Sequence, residues 1–155
     1  MSNTSTIHQA RMIGRTLNLG DGFQEFISEI ALEMGRRSGG DNLIITITDA
    51  LADTVTDAQT AAANMFGMWI VSGATSTLDA FVQVFNTAAA SVTLGTTAPF
   101  EVFHVESTKS RGLRIHPGTE GSYSTAVSFA ATTTHDGSTA PAAADRPTVY
   151  VFTST

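Results

Sequence analysis

After residue 42 the apolar residues of this chain fall into short alternating runs, and that pattern constrains the fold more than any other feature. Seven stretches carry it: "LIITIT" (43–48), "MFGMWIVS" (65–72), "DAFVQVF" (79–85), "FEVFHVE" (100–106), "GLRIH" (112–116), "SYSTAVSFA" (122–130) and "TVYVFT" (148–153). Each is rich in β-branched and aromatic residues and is bounded by Gly, Pro, Ser or Asp, the pattern of a strand between turns. About seven short strands spaced this way predict a mainly β domain, either a sandwich or a small barrel.

One helical signal precedes the strands. In "DGFQEFISEIALEMGRR" (21–37), Phe23, Phe26, Ile27, Ile30, Ala31 and Met34 recur at helical spacing and form a single apolar stripe. Asp21 with Gln24 fits a cap and its box partner, Glu33 stands one turn before Arg37, and Gly35 or Gly39 is suited to end the helix. A helix over 22–36 is predicted, which makes the class α+β by count. Glu25, Glu29 and Glu33 share a face that reads as solvated rather than as a ligand set. Residues 1–20 read as a polar arm holding Ile7, Arg11, Met12, Ile13, Arg15, Leu17 and Leu19 without a period, and residues 21–155 as one β-rich domain. The stretch 49–64, "DALADTVTDAQTAAAN", mixes aspartates at helical spacing with β-branched residues and is expected to be a short helix across one end of the sheet. Residues 132–147 are polar and broken, and are expected to form a long exposed loop.

Composition excludes several functions. With no cysteine, disulfide frameworks and thiolate metal sites are impossible. The N-terminus has no basic flank leading into an apolar run, and no stretch of about 18 apolar residues occurs, so a soluble product made in the cytoplasm with no membrane partner is expected. Net charge is −6, and no basic residue lies between Arg37 and Lys109, where Asp41, Asp49, Asp53, Asp57, Asp79, Glu101 and Glu106 all fall. Such a surface repels phosphate, which argues against nucleic acid as a partner. Only 14% of residues are charged, against about 25% in an ordinary chain, as suits a surface partly covered by another protein.

The window "FEVFHVESTKSRGLRIHPGTEG" (100–121) holds the only candidates for metal chemistry, His104, Glu106 and His116. On an extended strand Phe100, Val102, His104 and Glu106 share one face, and Glu101, Phe103 and Val105 the other. If 112–116 returned on 100–106 as a hairpin, two imidazoles and a carboxylate would converge in a set suited to zinc or a non-haem metal. The nearest familiar pattern is that of cupins, but the pair here is His104 and Glu106, without the double histidine. A polar cross-strand ladder or an intersubunit ion-pair cluster of His104, Glu106, Arg114 and His116 is the favoured reading. No nucleophile elbow, phosphate loop or dinucleotide fingerprint is present, and no catalytic residue, cofactor or metal is predicted. His8 lies in the arm, and His135 and Asp136 lie in the long loop. Trp69, beside Met65, Phe66 and Met68, is expected at a core or an interface rather than on a sugar.

With its cysteine-free, lysine-poor composition, its polar arm, its small β-rich domain and stretches such as "NTAAASVTLGTTAPF" and "ATTTHDGSTAPAAADRP", the chain resembles the small virion proteins of tailed bacteriophages, especially capsid decoration or cement proteins. The resemblance implies a non-enzymatic subunit on the capsid surface, a homo-oligomer and most simply a trimer, that contacts the major capsid protein. Ile7, Arg11, Met12, Ile13, Arg15, Leu17, Leu19 and Trp69 are its expected interface residues, on the argument that an arm of this composition orders against a neighbour. A tail or head–tail component is the second expectation. A small cupin-like metalloenzyme or a carbohydrate-binding module is the alternative of another class.

Overall fold

The computed structural model describes residues 22–28, 43–114 and 122–154. Helix α1 (22–28) is followed by strands β1 (Leu43–Thr48), β2 (Thr56–Gln59), β3 (Ala63–Val71), β4 (Ala80–Phe85), β5 (Glu101–Val105), β6 (Ser110–Arg114), β7 (Ser122–Tyr123), β8 (Val127–Thr132) and β9 (Thr148–Ser154). The fold is mainly β. Each of the seven alternating stretches contains strand, "SYSTAVSFA" divides into β7 and β8, and β2 is an addition. All pairings are antiparallel and build two sheets: β1-β9-β3-β6 with β7 also on β3, and β2-β8-β4-β5. Two stacked sheets, with no closed ring among the described residues, make a sandwich.

Strand alternation decides which side chains meet between the sheets. Met65, Met68 and Ile70 of β3 and Val149 and Val151 of β9 face Val82 and Val84 of β4, Val127, Phe129 and Ala131 of β8, and Val105 of β5. Two inward residues three apart, Met65 and Met68, break a strict period of two. The cause is a bulge between Met65 and Gly67 opposite β9; an extra residue resets the alternation, and a glycine inside a strand run is its usual marker. The same bulge sends both Phe66 and Trp69 outward, where they join Tyr150 and Phe152 on the outer face of the first sheet.

That outer face is sealed by α1. Phe23, Phe26 and Ile27, the first members of the apolar stripe, are buried against it. Phe23 meets Trp69 at 5.4 Å and Tyr150 at 5.7 Å edge-on, and Phe26 meets Phe152 at 5.3 Å. These are favourable arrangements for rings with electron-rich faces and electron-poor edges. The predicted continuation of the helix over 29–36 lies outside the described residues, as does the arm 1–20.

One expectation is corrected, and one arrangement that the spacing allowed is not adopted. Residues 49–64 do not form a helix: a turn and bends lead into β2, which pairs with β8, and residues 63–64 begin β3. The β-branched Thr54, Val55 and Thr56 outweigh the helical spacing of the aspartates, and the side of β8 away from β4 supplies a ladder for them. Asp57 turns outward and accepts the Ala89 amide at 2.7 Å. The hairpin between 100–106 and 112–116 does not form either. β5 lies in the second sheet beside β4, and β6 in the first beside β3. Phe103 packs against the sandwich core and Val105 lies within it. The link then turns through Thr108, at φ 62°, and the Ser72 amide donates to Lys109 O at 3.0 Å, drawing the chain to the other sheet.

The chain's two tyrosines are both buried. Burial, and then the negative charge of Glu101, pushes the Tyr123 phenol far up; burial and then Asp49 push Tyr150 up as well. A phenol raised in the folded state adds stability below its ordinary value of 10.0 and loses it as pH rises through the folded value. Tyrosinate absorbance is therefore expected to appear together with loss of the native circular dichroism on alkaline titration. A reversible tyrosinate step near pH 10 with the fold intact would refute the burial of the ring that ionises.

Candidate functional site

The sandwich end where β4 begins carries an open cleft of about 480 Å³, lined by Thr77, Leu78, Asp79, Phe81, Thr133, Pro141, Ala142 and Asp145. Two loops build it, 72–79 between β3 and β4 and 133–147 between β8 and β9. The second is the long loop expected from the sequence. Residues 133–136 are exposed, whereas Pro141, Asp145 and Pro147 are buried.

Asp145 locks the loops together. Its Oδ1 accepts the amides of Thr77 at 2.8 Å and Leu78 at 3.1 Å. These amides, Thr77 first, hold its carboxyl below the usual carboxylate range. Ser76 closes the turn, with its hydroxyl donating to Leu78 O at 3.0 Å. Gly73 permits the approach, because a Cβ there would lie 2.1 Å from Ala144 O. Gly73→Ala is expected to cost about 1–3 kcal/mol in urea denaturation, and an unchanged midpoint would mean that the loops are free to separate.

Asp79 and His104 form the rim. Ser107 donates its amide to Asp79 Oδ1 at 2.9 Å, and His104 Nε2 lies 2.8 Å from Asp79 Oδ2. The Ser107 amide, and next the His104 imidazole, hold the Asp79 carboxyl low. His104 stacks on Phe81 at 5.1 Å with ring planes 31° apart, and His135 meets the same ring edge-on at 6.3 Å. Phe81 thus contacts two imidazoles. The two depressed carboxylates stabilise the fold above the ordinary carboxyl value of 3.8, and that stability is lost as pH falls through their folded values. The Asp145→Asn variant, which keeps an acceptor for both amides, is expected to unfold at a less pH-dependent temperature than the parent below about pH 4. Parallel acid limbs in thermal melts would contradict this.

Of the metal candidates, His104 is partnered by Asp79, and Glu106 forms an ion pair with Lys109 that lowers the carboxyl and raises the amine. Both pairs are exposed. His116 lies outside the described residues, and among the described residues no three His, Asp or Glu gather closely enough to hold an ion. The interface candidates Ile7, Arg11, Met12, Ile13, Arg15, Leu17 and Leu19 also fall outside the described residues. Trp69 is buried beneath α1, 5.5 Å from Phe26. No described helix is long and apolar enough to cross a membrane.

Sequence reasoning placed Asp79 among the acidic residues without a role and passed over Leu78, Phe81 and Asp145. A lone aspartate in the run "AAADRP" is a candidate backbone cap, but its partners lie 67 and 68 residues away and have no local signature. Comparison with protein-family models, with curated proteins and with solved structures returns no match.

Proposed function

We propose that the chain is a structural subunit of a tailed-phage particle, a capsid decoration or cement protein that self-associates, most simply as a trimer, and binds the shell by protein–protein contact. The observation that carries the association is strand β1. It borders the first sheet, and among the described residues it is paired on one side only, with β9. Its six-residue sequence, "LIITIT", contains no charge, whereas the bordering strands β2, β5 and β6 contain Asp57, Glu101, and Arg111 with Arg114, and the uncharged β7 is only two residues long. Ile47 on β1 is 43% exposed. Sheet borders left open in this way accept an added strand, and natural proteins protect them with lysine, proline or a cover unless pairing is their purpose. The assignment to a phage head draws on the resemblance of arm, composition and loops.

The hydrogen bond of His104 to Asp79 and the ion pair Glu106–Lys109 support a structural reading of the 100–109 window over a metalloenzyme, because both described candidate ligands are already engaged by a neighbouring side chain. The test compares the full chain with a variant lacking residues 2–19, by light scattering and by electron microscopy of phage heads incubated with each. Oligomers that coat heads, with both properties weakened by the deletion, are expected. A full chain that is monomeric and binds no head overturns the reading, and a truncated chain that assembles and coats equally well removes the arm from it.

A further inference from the structure

The terminal cleft is apolar and acidic at once. Leu78 stands 64% exposed at its edge and Phe81 forms part of its wall, while its charged lining groups, Asp79 and Asp145, are both anionic. No lining residue is basic. Its volume of about 480 Å³ lies within the range of roughly 300–1,000 Å³ in which proteins hold small ligands. Asp79 has capacity to spare: each of its oxygens accepts one bond, a carboxylate offers about four lone-pair positions, and its side chain is 47% exposed.

A matching group is present in the chain itself. Half of its basic residues, Arg11, Arg15, Arg36 and Arg37, precede residue 38, and none occurs between there and Lys109. The run Arg11-Met12-Ile13-Gly14-Arg15 places two guanidiniums around two large apolar side chains. That is the complement of a cleft with carboxylates beside Leu78 and Phe81. Copies carrying a net charge of −6 repel at long range, so contact between them requires local pairing of opposite signs. A twenty-residue arm reaches up to about 66–72 Å when extended. The chain just past β1 meets the loop that supplies one wall of the cleft, since the Leu51 amide donates to Pro147 O at 2.8 Å.

We propose that the cleft receives residues 11–15 of a second copy of the chain, with an arginine on Asp79 and Met12 or Ile13 against Leu78 and Phe81. This rests on the reading of the chain as a self-assembling subunit and names the contact that its arm makes. A guanidinium suits Asp79 better than an ammonium because it donates two parallel bonds to a carboxylate.

The absence of cysteine makes the contact testable in the full chain by single introduced thiols. Met12→Cys is mixed with Leu78→Cys under oxidised glutathione. The control pairs Met12→Cys with Ser124→Cys, an exposed site in the turn between β7 and β8. The expected result is a mixed disulfide dimer at least about tenfold more abundant than in the control. Adding Asp79→Arg to the Leu78→Cys chain should remove it, and adding Arg11→Asp to its partner should restore it. Equal yields in the two mixtures overturn the proposal, as does a chain carrying both Met12→Cys and Leu78→Cys that forms only the disulfide within itself. Oligomers that still coat heads without the mixed disulfide refute the cleft assignment alone, whereas a monomer that binds no head refutes the assembly reading with it.

Discussion

Phe152→Ala is expected to destabilise the protein by about 3–5 kcal/mol and to shift the emission of Trp69, the only tryptophan, to the red. Phe152 is fully buried near the end of β9, between Ile45 on β1 and Gly67 on β3. The bulge glycine opposite it carries no side chain, and the ring sits at the centre of the seal between the first sheet and α1, with Phe26 at 5.3 Å and Phe23 at 6.4 Å. Removing it opens a cavity beneath α1, whose Phe23 and Phe26 rest on the ring. Most of a helix's stability in a protein comes from the face it packs against rather than from the helix alone. Loosening α1 admits water to Trp69, now packed against Phe23 and Phe26. Urea denaturation read by fluorescence measures both effects. A loss below about 1 kcal/mol with unchanged emission would mean that the aromatic cluster does not hold α1 to the sheet.

This cluster also shows what was legible beforehand. The stripe Phe23, Phe26 and Ile27 announced an amphipathic helix because helical spacing is a local property of the chain. The alternation in "TVYVFT" announced a strand for the same reason. Neither said that helix and strand would meet, since that depends on Met65–Met68 resetting the face of β3 around Gly67. The window around His104 behaves likewise. Its alternation was right: Val105 is buried and His104 exposed. Its partner strand was not legible: a return of 112–116 was only one arrangement the spacing allowed, and β5 instead pairs with β4 while β6 pairs with β3 in the other sheet. The cleft was the least legible feature. Its clamp joins Asp145 to amides 67 and 68 residues earlier, and pairing over that distance leaves no spacing to read.

Ile47→Lys is expected to weaken self-association at least about tenfold, a loss of roughly 1.4 kcal/mol or more, while leaving the fold of each subunit intact. Ile47 pairs in register with Tyr150 on β9, and the other side of β1 carries no partner among the described residues. A strand added there would lie about 4.8 Å away, close enough for its side chains to cover Ile47. A lysine in that position must either lose water on docking or hold the added strand off, which is how natural sheets keep their borders from pairing. Within one subunit the change is mild, since the side chain is already 43% exposed and strand preferences span only about 1 kcal/mol. Light scattering over a dilution series reads the association, and thermal melting reads the fold. Lysine at Ser138, an exposed loop position away from β1, controls for the added charge. Dissociation of the Ile47→Lys chain alone, with its melting temperature nearly unchanged, assigns the contact to β1. Oligomers as stable as the parent's would move the association to another border of the sandwich.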